Sequence, residues 1–209
     1  MEALLLIDIQ EDFLPTGALP VSQGDEIIPV VNNLQQYFDL IVATQDWHPE
    51  GHISFASTHQ GKQPGDVIYT GNMEQRLWPR HCVQGSPGAE FAKNLRKEKI
   101  TTVIRKGIDP MVDSYSGFYD NQHKRSTGLH DLLLSKQVNT IYLAGLAADV
   151  CVLYTALDAV EHGYNTFFIE DAAKAAGGEE GFRNSVNAMI NKGIHIINSK
   201  KLIEEREKK

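Results

Sequence analysis

Only two cysteines, Cys82 and Cys151, stand in a chain of 209 residues. Two thiols cannot build a disulfide framework, and their scarcity fits a reducing compartment. Basic residues are also in short supply: 20 Lys and Arg face 27 Asp and Glu, a net charge of −7. Without a cationic surplus the chain cannot displace the counterions of a phosphate backbone, which excludes a general nucleic-acid binder. No apolar run approaches the ~20 residues of a membrane span. The start, Met1-Glu-Ala-Leu-Leu-Leu6, has an acid where a secretory leader carries bases, and Asp8 interrupts the apolar run. Repeats and low-complexity tracts are missing too. These absences predict a soluble, cytoplasmic protein with neither nucleic acid nor membrane among its partners, folded as one domain over residues 1–209.

What is present is a regular alternation. Hydrophobic residues make up 42% of the chain, enough for a sizeable core. Short runs rich in Val, Ile, Leu and Thr at residues 3–7, 40–44, 101–104, 140–144, 166–169 and 194–197 read as strands. They are near-continuous rather than alternating, the pattern of strands covered on both faces of a parallel sheet. Helical spacing occupies residues 25–37, 89–95, 128–135, 152–162 and 179–191, with Gly163 and Gly193 as stop signals. The tail, 200–209, is a charged helix or frayed end. The fold class this predicts is α/β: a three-layer doubly wound sandwich with a mostly parallel central sheet of about six strands. Two stretches rich in Gly, Pro, His and aromatics, 46–88 and 106–126, break the alternation. Long loops inside a compact domain are usually functional.

Residues of catalytic type gather at the ends of the first four strands. Asp8 follows the first, Asp46 and His48 the second and Lys106 the third; Cys151 lies shortly beyond the fourth. In open parallel sheets the ligand crevice lies outside these carboxyl ends, so the five side chains are expected to converge. Asp46 and His48 at i, i+2 point to one side of an extended chain and can share a metal ion. His81, in Trp78-Pro-Arg-His-Cys82, is the best third ligand, with His52 a weaker fourth and Cys82 ranked below His81. A carboxylate and two imidazoles leave coordination positions open, as in a working site.

Cys151 sits at a strand-to-helix switch, where the helix dipole favours a thiolate. The Lys106 charge is expected to lower the thiol pKa further. Asp8 would take the thiol proton and return it to a leaving amine, and amides at the helix start would hold an oxyanion. Together these parts suit acyl transfer.

Several motifs in this order carry a resemblance: Asp8-Ile-Gln-Glu-Asp-Phe13, Thr44-Gln-Asp-Trp-His-Pro49, His52-Ile-Ser-Phe55, Trp78-Pro-Arg-His-Cys-Val83, Lys106-Gly107, Asp113-Ser-Tyr-Ser-Gly-Phe118 and Gly145-Leu-Ala-Ala-Asp-Val-Cys-Val152. Over residues 3–197 the chain resembles the nicotinamidases, which are isochorismatase-like cysteine hydrolases. The resemblance implies hydrolysis of nicotinamide to nicotinate and ammonia through a cysteine thioester, a step of NAD salvage, with pyrazinamide as a second substrate. It implies a triad of Asp8, Lys106 and Cys151. It also implies one divalent metal ion (zinc, iron or manganese) on Asp46, His48 and His81, with His52 a ligand in some members only. Phe13 and Trp78 match residues that sandwich the pyridine ring, and Tyr115 one that closes the pocket. The Leu146-Ala147 peptide is implied to be cis, with the amides of Ala147 and Cys151 forming the oxyanion hole. Whether the chain is a monomer or a homo-oligomer is not implied.

One position departs from the family pattern: Ala148 stands where Thr is usual, removing a hydroxyl but no backbone group. Two other readings remain. A metal-independent relative would act on another amide, a ureido compound or isochorismate, and would not need Asp46, His48 and His81. A catalytically silent binding module would not need an intact triad.

Overall fold

Six parallel strands form the centre of the computed structural model, which describes residues 1–208. They are β1 (Glu2–Ile7), β2 (Ile41–Asp46), β5 (Thr102–Lys106), β6 (Thr140–Leu146), β7 (Asn165–Lys174) and β8 (His195–Ile197), in the spatial order β5-β2-β1-β6-β7-β8. The period of two along each strand sends alternate residues to opposite cores. Leu4 and Leu6 enter one cluster with Ile28 and Val31 of α1 (Ile27–Leu34) and Leu202 of α5 (Ser199–Glu207). Ala3, Leu5 and Ile7 enter the other, with residues of α2 (Leu129–Ser135), α3 (Cys151–Glu161) and α4 (Gly178–Asn191). The result is the doubly wound three-layer sandwich that the alternation predicts.

Local chemistry sets the element ends. Pro29 falls in the first turn of α1, where a missing N–H costs little. Gly163 and Gly193 take φ of 82° and 80° just past α3 and α4, the left-handed conformation that ends a helix. Asn198 caps α5 by accepting from Lys201 N at 2.9 Å. The central crevice depends on Gly145, whose Cβ would collide with the Ile7 backbone of the adjoining strand.

Two sequence expectations need correction. Residues 89–95 do not form a helix. Pro87–Ala89 makes a single 3-10 turn, and the segment beyond it bonds to the chain leaving β1: Glu11 N donates to Glu90 O, and Ala92 N to Ile9 O. Backbone groups used in this way cannot also form helical bonds. The stretch 46–88 is not all loop, for it contains an antiparallel hairpin of β3 (Val67–Thr70) and β4 (Met73–Arg76). No helix among the described residues is long and apolar enough to cross a membrane.

Candidate active site

The crevice lies between β1 and β6, where the chain order reverses from one side of the sheet to the other. Asp8 follows β1 directly and takes φ of 47°, a left-handed conformation uncommon outside glycine. Thr44 of β2 holds it twice: Thr44 Oγ1 donates to Asp8 Oδ1 at 2.6 Å and accepts from Asp8 N at 3.2 Å.

Lys106, at the end of β5, is fully enclosed. Its Nζ donates to Asp46 Oδ1 at 2.5 Å and to the Ser114 carbonyl at 2.8 Å, and it lies 3.5 Å from Cys151 Sγ. Nζ is also 2.9 Å from Asp8 Oδ2, a fully enclosed ion pair. Burial disfavours the charged form of Lys106, yet Asp46 and Asp8 overcome it and hold the ammonium well above its ordinary pKa. Burial likewise lifts the Asp8 pKa above the usual carboxylate value, with Lys106 pulling the other way.

Cys151 is the first residue of α3, as the strand-to-helix switch predicts. Its pKa corrects one expectation. Lys106 does pull it down, but burial is the larger influence, and Asp8 and Asp46 add to it. The thiol therefore lies well above its ordinary pKa, with an Asp8 oxygen within 4.8 Å of the sulfur.

Asp46, His48 and His81 offer ligand atoms within 4.8 Å of one another. His48 Nε2 is 3.6 Å and His81 Nε2 is 4.0 Å from Asp46 Oδ2. Ligands about 2.1 Å from an ion are roughly 3–4 Å apart, so the set fits a cation. The rings are aimed through their other nitrogens: His48 Nδ1 is 2.9 Å from Gly107 O, and His81 Nδ1 is 2.7 Å from Pro79 O. Burial and the adjacent His48 lower the His81 pKa to about 4, keeping that imidazole neutral and able to ligate. Burial opposes charge on Asp46, but Lys106 and His48 hold it far below the usual carboxylate range. His52 is completely buried, its ring centroid 4.3 Å from that of His48, and its Nε2 has no partner. It groups with His48 and Asp113 rather than with Asp46 and His81.

The cleft in front of Cys151 is lined by Phe13, Trp78, Tyr115 and Ala147 together with Asp46, His48 and His81. Trp78 Nε1 donates to Tyr115 Oη at 3.2 Å. The Leu146-Ala147 peptide is cis. In the turn that follows, Ala148 N donates to Lys174 O, and Val150 N and Val152 N both donate to Ala147 O. The amides of Ala147 and Cys151 make no such bond among the described residues. Ala148, where the hydroxyl is lost, is buried within an apolar cluster.

The Isochorismatase domain family matches residues 2–201. The chain belongs to this family. Within it, a nicotinamidase of Acinetobacter baylyi is 43% identical over 96% of this chain and 94% of its own length. Among solved isochorismatase-family structures, a nicotinamidase pyrazinamidase of Acinetobacter baumanii superposes with a TM-score of 0.93 at 42% identity, covering 96% of this chain and 97% of that one. A pyrazinamidase of Pyrococcus horikoshii solved in complex with zinc superposes with a TM-score of 0.78 at 40% identity, covering 94% and 98%.

Phe13, Asp46, His48, Trp78, His81, Tyr115, Ala147 and Cys151 line one cleft, with Lys106 3.5 Å from the Cys151 sulfur and Asp8 2.9 Å from Lys106. Sequence reasoning missed Thr44, the Ser114 carbonyl and Asp149. Asp149 accepts from Ala176 N and Gly177 N, each at 2.8 Å, and ties the Cys151 turn to the start of α4. Its position two residues before the nucleophile was the available signal. A carbonyl such as that of Ser114 has no signal in side-chain identity.

Proposed function

We propose that this chain is a metal-dependent nicotinamidase, converting nicotinamide and water to nicotinate and ammonia. One observation carries the reading: a thiol within 4.8 Å of a carboxylate, with an ammonium 3.5 Å from the sulfur, opens on the same cleft as a cation-sized set of one carboxylate and two imidazoles. The whole chain, residues 1–209, acts as one hydrolase domain on a small molecule in the cytoplasm.

Cys151 gives its proton to Asp8 as the sulfur adds to the carboxamide carbon. The amides of Ala147 and Cys151 take the developing oxyanion. Lys106 holds its charge throughout, orienting Asp8 and offsetting the negative charge of the sulfur. Asp8 then protonates the nitrogen as the C–N bond breaks, and ammonia leaves a thioester. Asp8 next takes a proton from water as the oxygen adds to the thioester carbon. Collapse releases the carboxylic acid, which loses its proton to solvent to give nicotinate, and returns the Asp8 proton to the thiol. Phe13 and Trp78 hold the ring faces, and Tyr115 closes the pocket. Asp46, His48 and His81 hold one divalent ion (zinc, iron or manganese), which when bound supplies a Lewis-acid site for the pyridine nitrogen.

The test is ammonia release from nicotinamide by the unaltered chain, the Cys151→Ala variant, and protein stripped with a chelator and reloaded with single metals. Turnover that vanishes in the variant and returns with a divalent ion supports the reading. Substantial turnover by Cys151→Ala would remove the thioester route. A fully active, metal-free protein would point to a metal-independent relative instead.

A further inference from the structure

Gln10 belongs to the first motif but has no part in the chemistry above. It is completely buried, and its side-chain amide makes three hydrogen bonds. Its Oε1 accepts from Asp46 N at 2.8 Å, and its Nε2 donates to Asp46 O and to Ala89 O, each at 2.8 Å.

The register explains why Asp46 needs this. Leu4, Leu5 and Leu6 of β1 pair with Ile41, Val42 and Ala43 of β2. Continued, that register would place Ile9 opposite Asp46. The chain instead turns away at Asp8, and the Ile9 carbonyl accepts from Ala92 N. In a parallel sheet the N–H and C=O of one residue point to the same neighbour, and those of the next residue to the other side. Trp47 N donates to Lys106 O, on the β5 side. The N–H and C=O of Asp46 therefore face the side from which β1 has departed. Two buried backbone groups would be left without partners, a cost that folded proteins avoid. Glutamine, with one acceptor and two donor positions, supplies both.

We infer that Gln10 is a positioning residue for the metal-binding carboxylate: its amide stands in for the departed strand and fixes the backbone from which Asp46 reaches both Lys106 and the cation. The inference rests on the metal-dependent reading above. Gln10 does not line the cleft and reaches the candidate cation site through the Asp46 backbone.

The test is zinc affinity, measured by competition with a chromogenic chelator on metal-stripped protein, alongside thermal midpoints. Gln10→Met keeps the volume and removes every bond. Gln10→Glu keeps the acceptor but sets a carboxylate against two carbonyls, and it decides the matter if Gln10→Met does not fold. Both are expected to weaken zinc binding at least about tenfold. Asn32 is the control: its amide donates to Asn94 O and accepts from Arg96 N, each at 2.8 Å, remote from the cleft. Asn32→Leu should lower the thermal midpoint and leave zinc affinity within about twofold. Gln10 variants that lose thermal stability but bind zinc like the unaltered chain would overturn the inference and leave the functional reading standing. Failure of the unaltered chain to bind any divalent ion would remove both.

Discussion

Lys106 Nζ stands 2.9 Å from Asp8 Oδ2, an ion pair wholly enclosed by protein. The ammonium and the Thr44 hydroxyl both favour the anionic form of Asp8 against its burial. Asp8→Asn keeps the shape and loses the base. Ammonia release from nicotinamide is expected to fall about 10²–10⁴-fold, the usual share of general acid–base catalysis, with metal content unchanged. Loss of metal in this variant would mean that Asp8 also supports the cation site.

The pH profile follows from the same carboxylate. Activity requires Asp8 ionised, and burial raises its pKa. The acid limb of kcat/KM should thus lie above the ordinary Asp value, with activity lost as pH falls through it. The Thr44 hydroxyl stabilises the charged form at 2.6 Å. Thr44→Val should move the limb to still higher pH. A limb that moves down, or stays in place, would exclude Asp8 as its source.

Asp46 pairs with the Lys106 ammonium and belongs to the candidate cation set. Asp46→Ala removes a ligand from the metal set and one counter-charge from a buried ammonium. Removing one partner of a buried ion pair costs about 3–5 kcal/mol, because the other charge is left uncompensated. Calorimetry should show a large loss of stability even in metal-free protein, together with loss of zinc binding. A metal-free variant as stable as its parent would show that the Lys106–Asp46 contact contributes little.

Gly107 has φ of 63°, and its Cβ would collide with the His48 ring. Its carbonyl is also the group that orients His48 Nδ1. Gly107→Ala is expected to cost about 1–3 kcal/mol from the left-handed backbone alone and to displace an imidazole ligand as well. Chemical denaturation and metal content measured on one preparation check both. Full metal occupancy in the variant would show that His48 can shift without losing its role.

Asp149→Ala removes two hydrogen bonds that tie the Cys151 turn to α4. The loss of stability should be about 1–2 kcal/mol, as for a helix cap. In turnover, kcat should fall more than KM rises, because the turn carries the nucleophile and not the ring-binding side chains. A rise in KM alone would contradict this division.

How much of this was legible in the sequence depends on the kind of interaction. Asp8, Asp46, Lys106 and Cys151 could be placed together because strand ends in a parallel sheet share one edge, and the apolar runs mark those ends. The hairpin at β3 and β4 was not legible: Val67 and Tyr69 are exposed and the one buried residue of the pair is the polar Gln75, so apolar residues do not mark its inward face. The helical spacing at 89–95 misled because its backbone groups bond to residues far away in sequence. The thiol pKa was misjudged for a related reason. Charge near Cys151 can be read from strand ends, but the burial that outweighs it comes from the whole enclosing fold.

The strand order also has a consequence for biosynthesis. Asp8, Asp46, His48, His81 and Lys106 lie within the first 106 residues, on β1, β2, β5 and the loops between them, while Cys151 follows β6, which pairs with β1. A nascent chain stalled before α3 carries every carboxylate, imidazole and ammonium of the site but lacks the Cys151 thiol. Enzymatic competence is therefore a late, all-or-none event of synthesis, withheld until the second half of the sheet closes on the first.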